Sequence, residues 1–356
     1  MGRILHILTG SSTINIGIVE FLIQYFDKNK HKIVLLGNNN KLDKLEITFI
    51  NKKKQVFELR KLMKNYDKII IHGLFSPHLV LLLYSLNPRL LKNIYWYIWG
   101  GDLYYHIFRN KSFKSYIYEF IRRRVIKNIG NIITPVKGDY ELAKEWYKTE
   151  AKYHEAFYIN PLINGCYDNI FYNINNRRKK TNKNQITIQI GNSADPRNNH
   201  LEILDNLSRF KNNNIEIIVP LSYGNQEYAK EIIKRGKYIY NDKFKPLTDF
   251  LPREEYYAIL SSVDVGLFNH DRQQALGNIF SLLYFGKKVY IKNDITTWDF
   301  LTSKGITVYN IYDLDKLNLE ELIYIEDSLK EKNRENLQKE FSIEKGIELW
   351  GKIFCS

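Results

Sequence analysis

One rhythm runs through this chain twice. Short apolar runs alternate with helical patterns, stop at a polar stretch, and then begin again. In the first half the candidate strands are residues 4–8, 32–36, 68–72, 94–99 and 131–134, with helical patterns such as 16–26 and 139–147 between them. Residues 173–185, NINNRRKKTNKNQ, carry almost no apolar side chain and read as a linker. Strands then follow at 186–191, 215–220, 264–268 and 288–291, with helices at 201–210, 226–234, 253–262 and 277–285. Such alternation predicts parallel sheets covered on both faces. The expectation is an α/β chain of two Rossmann-like, doubly wound domains, 1–172 and 186–324, facing each other across a cleft. A charged helical segment, 325–356, is expected to pack back on the first domain. Ligands of such sheets bind where strand ends lead into helix N-termini, which makes the cleft the candidate site.

A length of 356 residues suits two domains, and 44% hydrophobic with 26% charged residues is the balance of a globular protein. The two cysteines, Cys166 and Cys355, give neither a disulfide framework nor a zinc pattern, and fit a reducing compartment. The N-terminal apolar stretch is too short for a signal peptide. The longest apolar run, residues 79–86, is far below the roughly 20 residues a spanning helix needs. The chain is therefore expected not to cross a membrane. A net charge of +14 attracts polyanions: nucleic acid, anionic lipid or phosphorylated substrates.

Two loops in the second half suit a nucleotide. The first is GNSADPRNNH, 191–200, between a strand and a helix. Gly191 permits a sharp turn, and Asn192, Ser193, Asp195, Asn198, Asn199 and His200 surround backbone N–H groups at a helix start, where phosphate binds. The alternative is simple capping by Asp195, Asn198 or Asn199. The second is NHDRQQALGN, 269–278, which places Arg272, Gln273, Gln274, Gly277 and Asn278 at a strand-to-helix junction. A helix N-terminus with an arginine neutralises a departing diphosphate. Tyr223, following the strand at 215–220, is grouped with these residues. Glu255 either accepts hydrogen bonds from ribose hydroxyls or is a first-turn carboxylate favoured by the helix dipole.

In the first half, WGGDLYYH (99–106) follows a very aromatic strand. Gly100 and Gly101 allow a tight turn that presents Asp102 either as general base for an acceptor hydroxyl or as a cap of the next helix. His72, Tyr104 and His106 join them as acceptor-side candidates, with a satisfied loop histidine the alternative for His72 and His106. The helical pattern 113–128, FKSYIYEFIRRRVIKN, carries Arg122, Arg123 and Arg124 and either docks on anionic lipid or packs as an ordinary amphipathic helix. Neither GxxxxGK nor GxGxxG occurs. The DxD at 313–315 reads as helix-start carboxylates, and no cluster has metal-ligand spacing. No metal and no cofactor are expected.

The order LPREEYYAILSSVDVGLF, RQQALGN, LLYFGKKVYI resembles the donor-binding half of the two-Rossmann-domain (GT-B) glycosyltransferases. WGGDLY, GNSADPRNNH and RQQALGN in that order resemble one family within them, over about Tyr95 to Leu301. It is the TDP-N-acetylfucosamine:lipid II N-acetylfucosaminyltransferase family, glycosyltransferase family 56. The resemblance implies a TDP-sugar donor, with the sugar-nucleotide itself a substrate, a polyprenyl-diphosphate-linked oligosaccharide acceptor, and peripheral attachment to the cytoplasmic face of the bacterial inner membrane. Gln273 and Gln274 stand in the neighbourhood where many retaining enzymes of this fold carry a glutamate, which weakens the carry-over of their catalytic scheme. A UDP or GDP donor, or a non-lipid acceptor, is the alternative. Nucleic acid is not an expected partner, because YIYEFIRRR is the one place where basic residues and stacking aromatics interleave.

Overall fold

A computed structural model of the chain describes residues 2–9, 13–37, 42, 47–165 and 185–356. Cys166 and residues 173–184 of the expected linker lie outside the described residues. The chain divides into two compact units, one formed by Met1–Ile159 with Ile343–Ser356 and the other by Asn160–Ser342.

The first unit contains β1 (Ile4–Thr9), α1 (Thr13–Tyr25), β2 (His31–Leu36), β3 (Ile47–Ile50), α2 (Lys53–Met63), β4 (Lys68–His72), α3 (Pro77–Tyr84), α4 (Pro88–Leu91) and β5 (Ile94–Tyr97). It continues through α5 (Gly101–Phe108), α6 (Phe113–Asn128), β6 (Asn131–Ile133), α7 (Lys137–Tyr147) and β7 (Lys152–His154). Its strands form a parallel sheet in the order β3-β2-β1-β4-β5-β6-β7. Successive side chains of β1 go to opposite faces, as strand geometry requires. Leu5 and Ile7 join a core with Val56, Leu59 and Met63 of α2 and Val125 of α6. Ile4 and Leu8 join a second core with Ile18, Val19 and Leu22 of α1. Burial on both faces is why these strands read as nearly unbroken apolar runs.

The second unit holds β8 (Ile186–Ile190), α8 (His200–Asn206), β9 (Ile215–Pro220), α9 (Gln226–Tyr240), β10 (Phe244–Leu247), α10 (Arg253–Ser262), β11 (Val265–Phe268) and α11 (Leu276–Tyr284). Beyond these lie β12 (Lys288–Ile291), α12 (Thr296–Ser303), β13 (Tyr309–Asn310), α13 (Leu319–Ile323) and α14 (Asp327–Glu340). The sheet order is β10-β9-β8-β11-β12-β13, again parallel. In both sheets the strand order reverses beside the unit's first strand, between β1 and β4 and between β8 and β11. At such a point successive connections leave to opposite faces, and a crevice opens at the strands' carboxyl ends.

The four strands not anticipated from sequence, β3, β7, β10 and β13, are the edge strands of the two sheets. The unit boundaries also differ from expectation. Residues 325–356 do not act as one segment. α14 stays with the second unit, where Leu337 is buried and Phe341 packs 4.5 Å from the Phe280 ring. The last helix, α15 (Ile343–Cys355), belongs to the first unit. There Trp350 is fully buried, donates its indole N–H to the Phe157 carbonyl at 2.9 Å, and stacks 5.8 Å from Tyr97.

Candidate active site

The carboxyl ends of β8 and β11, on either side of the second reversal point, carry the two loops singled out in the sequence. Gly191 has φ +63° and donates its N–H to Leu267 O at 2.9 Å. A Cβ there would lie 2.5 Å from His200 Nε2 and 2.6 Å from Asn198 Oδ1, so no other residue fits the turn. Asn198 is fully buried, and its Oδ1 accepts from Asn192 N and from His270 Nε2, both at 3.0 Å. Asn192 N can only donate, so the shared atom is an oxygen and His270 carries its proton on Nε2. Burial, then the cationic Arg272 nearby, holds His270 well below the usual histidine range, which keeps this donor neutral. His200 is likewise pushed down to about 4 by burial. Its N–H donates to Tyr228 OH, while neither ring nitrogen has a partner.

The second loop meets the first through side chains. Gln274 Nε2 donates to Asn192 Oδ1 at 3.1 Å, and Asn192 Nδ2 donates to Tyr223 OH at 2.8 Å. Ala194 N donates to Tyr223 O, and Asn225 N to Ala194 O, which laces the loop after β9 to the loop after β8. Ser193 is buried in this lacing. Arg272 donates to Asp195 Oδ2 at 2.9 Å and to Gln273 O at 2.9 Å. Asp195 also accepts from Arg197 N, and Asn199 Nδ2 donates to Asn269 O and to Asp271 Oδ1. Capping and site-building therefore coexist in the same residues.

Helix α11 begins here without a side-chain cap. Its N-cap, Ala275, has φ +62°, a left-handed conformation that costs a non-glycine residue energy. A Cβ on Gly277 would meet nothing within 4 Å, so the first turn opens onto free space. Gln274 is buried, and its Oε1 has no hydrogen-bond partner. An uncapped helix start, an unpaired amide oxygen and a guanidinium aligned by Asp195 form a receptor for an anion that also offers donors.

The structure does not bring Glu255 into this network. It is exposed in the first turn of α10, while its neighbour Tyr256 donates to Asn278 Oδ1. Asn278 Oδ1 accepts from Gln189 Nε2 as well, so that side chain is held by protein.

The first unit corrects more of the sequence expectations. Asp102 is 1% exposed and accepts from Trp96 Nε1 at 2.7 Å, Trp99 N at 3.0 Å and Leu74 N at 3.1 Å. Burial raises its pKa against those bonds and the pull of Arg122. Three protein donors take three of its roughly four acceptor sites, and burial closes the remaining one to a substrate hydroxyl. Asp102 is thus the clasp that ties the loops after β4 and β5, not a base. Gly100, at φ +87°, and Gly101 make the turn into α5 that puts it there. His72 is buried between His6 and Tyr158, with ring nitrogens 3.2 Å from each. Tyr104 is buried and donates to Asp139. His106 donates from Nδ1 to Glu119 at 2.8 Å and stacks on Trp146. His72 and Tyr104 are packed interior groups, and His106 is part-buried against its partners.

The arginine triplet splits. Arg122 is 1% exposed and donates to Leu74 O, Asp102 O and Glu119. Arg123 and Arg124 are exposed. Consecutive helical residues point about 100° apart, so three in a row cannot share a face.

A family profile described as 4-alpha-L-fucosyltransferase, glycosyl transferase group 56, matches residues 1–344. The chain belongs to this family. It is a glycosyltransferase of the GT-B fold. Among solved structures it is similar to Anabaena HepE in complex with UDP-glucose, at TM-score 0.72 and 10% identity over 100% of both chains. It is also similar to a glycosyltransferase from Rickettsia africae, at TM-score 0.64 and 14% identity over 99% of this chain and 97% of that one. WaaG, a glycosyltransferase involved in lipopolysaccharide biosynthesis, matches at TM-score 0.64 and 10% identity over 98% of each chain.

Several residues of this candidate site went unnoticed in the sequence. Lys292, one residue past β12, donates to Asp271 Oδ1 at 2.7 Å, and Arg197 lies 3.9 Å from the same carboxylate. Around the two loops three cations thus face two carboxylates, Asp195 and Asp271. Lys292 had a legible signal, being a charged residue at the carboxyl end of a buried strand. Gln189 and Tyr256 had none, because they reach the site only through β8 and the inner face of α10. Among the described residues no three His, Cys, Asp or Glu side chains gather as a metal site.

Proposed function

We propose that this group 56 enzyme moves a 4-acetamido-4,6-dideoxygalactosyl residue from a TDP-sugar to a polyprenyl-diphosphate-linked oligosaccharide at the cytoplasmic face of the bacterial inner membrane. The observation that carries the reading is the open first turn of α11, set beside Arg272 and the unpaired Gln274 oxygen. As the glycosidic bond to phosphate breaks, negative charge grows on the diphosphate. Aligned N–H groups and a prepositioned guanidinium stabilise that charge more in the transition state than in the bound donor. Asp195 holds Arg272 in place for this, and the Asn198–His270 pair fixes the Gly191–Asn192 backbone. The chemistry of the site is proposed to need no metal, with the protein's own cations balancing the leaving group.

The test is thermal denaturation with TDP, UDP and GDP. A nucleotide at about 100 times its Kd stabilises the folded chain by about 2.7 kcal/mol. TDP is expected to raise Tm, and Arg272→Ala to abolish most of that rise while leaving the unliganded Tm within a few degrees. Equal response of wild type and variant removes Arg272 from the donor site. A second reading, a UDP-sugar donor, is favoured by the likeness to HepE with UDP-glucose bound. It predicts a larger shift with UDP than with TDP.

A further inference from the structure

Helix α6 carries large apolar side chains on the face it turns outward. Ser115, Glu119, Arg122, Val125 and Ile126 form its buried side. Opposite them stand Phe113 (80% exposed), Tyr116 (50%), Ile117 (47%) and Phe120 (65%), at the i, i+3, i+4, i+7 spacing of a single stripe. Phenylalanine and isoleucine left this open gain nothing from folding and cost solubility. Continued along the helix at 100° per residue, the same stripe passes through Arg124 and Lys127, both exposed. The outer face is therefore apolar over its first two turns and cationic over its last two. Its one acid, Glu119, is buried beneath and already accepts from His106 and Arg122.

We propose that this outer face of α6 is the surface by which the chain docks on an anionic lipid bilayer. Phe113, Tyr116, Ile117 and Phe120 enter the boundary between headgroups and acyl chains, and Arg124 and Lys127 meet lipid phosphates. The contribution expected from the sequence moves accordingly: aromatic side chains insert, Arg122 does not take part, and Arg123 is a neighbour. A second copy of this chain fits the face less well. In a parallel twofold pair Arg124 and Lys127 would meet themselves, in an antiparallel pair they would meet the apolar end, and α6 offers them no exposed acid in either. Arg122 gives the docking a consequence. From the inner face of the same helix it holds Leu74 O and Asp102 O, so the loops after β4 and β5 are fixed at a set depth from the lipid. The inference rests on the membrane-linked acceptor proposed above and is independent of the donor.

The experiment is co-sedimentation of the full chain, without donor, with phosphatidylcholine vesicles containing or lacking about 30% phosphatidylglycerol. Wild type is expected to partition onto the anionic vesicles and to be released by salt. The double variant Phe113→Ser, Phe120→Ser, altered only at exposed positions, is expected to lose at least about tenfold in partition coefficient with an unchanged Tm. Arg124→Gln with Lys127→Gln is expected to weaken binding to anionic vesicles alone. Unchanged partition of the phenylalanine variant overturns the proposal. So does a wild type that ignores both vesicles, or a solution dimer that the variant dissolves. A chain that responds to TDP but not to vesicles sinks the docking face alone; one that binds vesicles but no nucleotide sinks the donor reading alone.

Discussion

Asp102 shows what a local pattern conveys about a residue and what it does not. The sequence places a carboxylate after two glycines at a strand end, and that is where it lies. Only the Trp99 amide belongs to that turn: the Trp96 indole comes from inside the strand and the Leu74 amide from another loop. No motif encodes them, so base and clasp look alike in one dimension. The two roles separate on substitution. Asp102→Asn turns an acceptor toward buried donors and orphans at least one of them, which costs on the order of 1–3 kcal/mol. The expected result is a lower denaturant midpoint, with transfer by the folded fraction kept within about tenfold and its pH profile unmoved. A general base would take with it about a hundredfold to ten-thousandfold in rate. A variant of native stability with such a loss would restore Asp102 to the reaction. The two loops proposed to hold the nucleotide were legible as structure for the opposite reason. Gly191, Asn192, Asn198 and Asn199 are bonded mostly within their own loop or across the adjacent strand end, and that is the range a strand–turn–helix motif describes.

Among elements, the central strands were legible and the edges were not. β1, β4, β8 and β11 are buried on both faces and stand out as apolar runs. β3, β7, β10 and β13 are two to four residues long, partly exposed, and in β10 interrupted by Pro246. Short, polar edges resist pairing with other chains, and the same traits hide them from pattern reading. The first three central strands carry a consequence for acid stability. Tyr158 OH donates to His72 Nδ1, His72 Nε2 to His6 Nδ1, and His6 Nε2 to His31 Nδ1, a chain that closes if every imidazole is neutral with its proton on Nε2. Burial lowers His72 to about 3 and His31 to about 4, and holds His6 well down, helped by its two histidine neighbours. A depressed folded pKa means that the unfolded chain binds protons the native one refuses. The stability contributed is present above the unfolded value near 6.5 and is lost as pH falls toward the folded values. Each such group steepens the fall by up to about 1.4 kcal/mol per pH unit. Melting curves between pH 7 and pH 4 are expected to show a steep loss, shallower in His31→Gln. A flat profile over that range would mean that the chain is protonated without cost.

At the scale of the whole molecule the sequence conveys two sheets but not how the chain is shared between them. The second unit is one continuous segment, Asn160–Ser342, whereas the first needs both ends of the chain. A charged helical pattern running to the end reads as a single segment. The physical break is at Phe341 and Ser342, where Phe341 finishes the second unit's core and the apolar stripe of α15 begins. Removing residues 343–356 should therefore act on one unit only. It strips Trp350, Ile353 and Phe354 from the core they share with Ile4, Leu8 and Tyr97, and leaves the Phe157 carbonyl without its indole donor. Loss of a buried tryptophan alone costs about 3–5 kcal/mol, a large part of a typical domain's stability. The loops proposed to hold the donor keep every contact described for them, since each partner lies between 160 and 342. Calorimetry of the truncated chain is expected to resolve two transitions where α15 is absent. The lower is insensitive to TDP, and the upper still rises with it. A truncated chain that loses its nucleotide response while the second unit remains folded would show that donor binding draws on the first unit, and would end the assignment of the donor site to the loops after β8 and β11 alone.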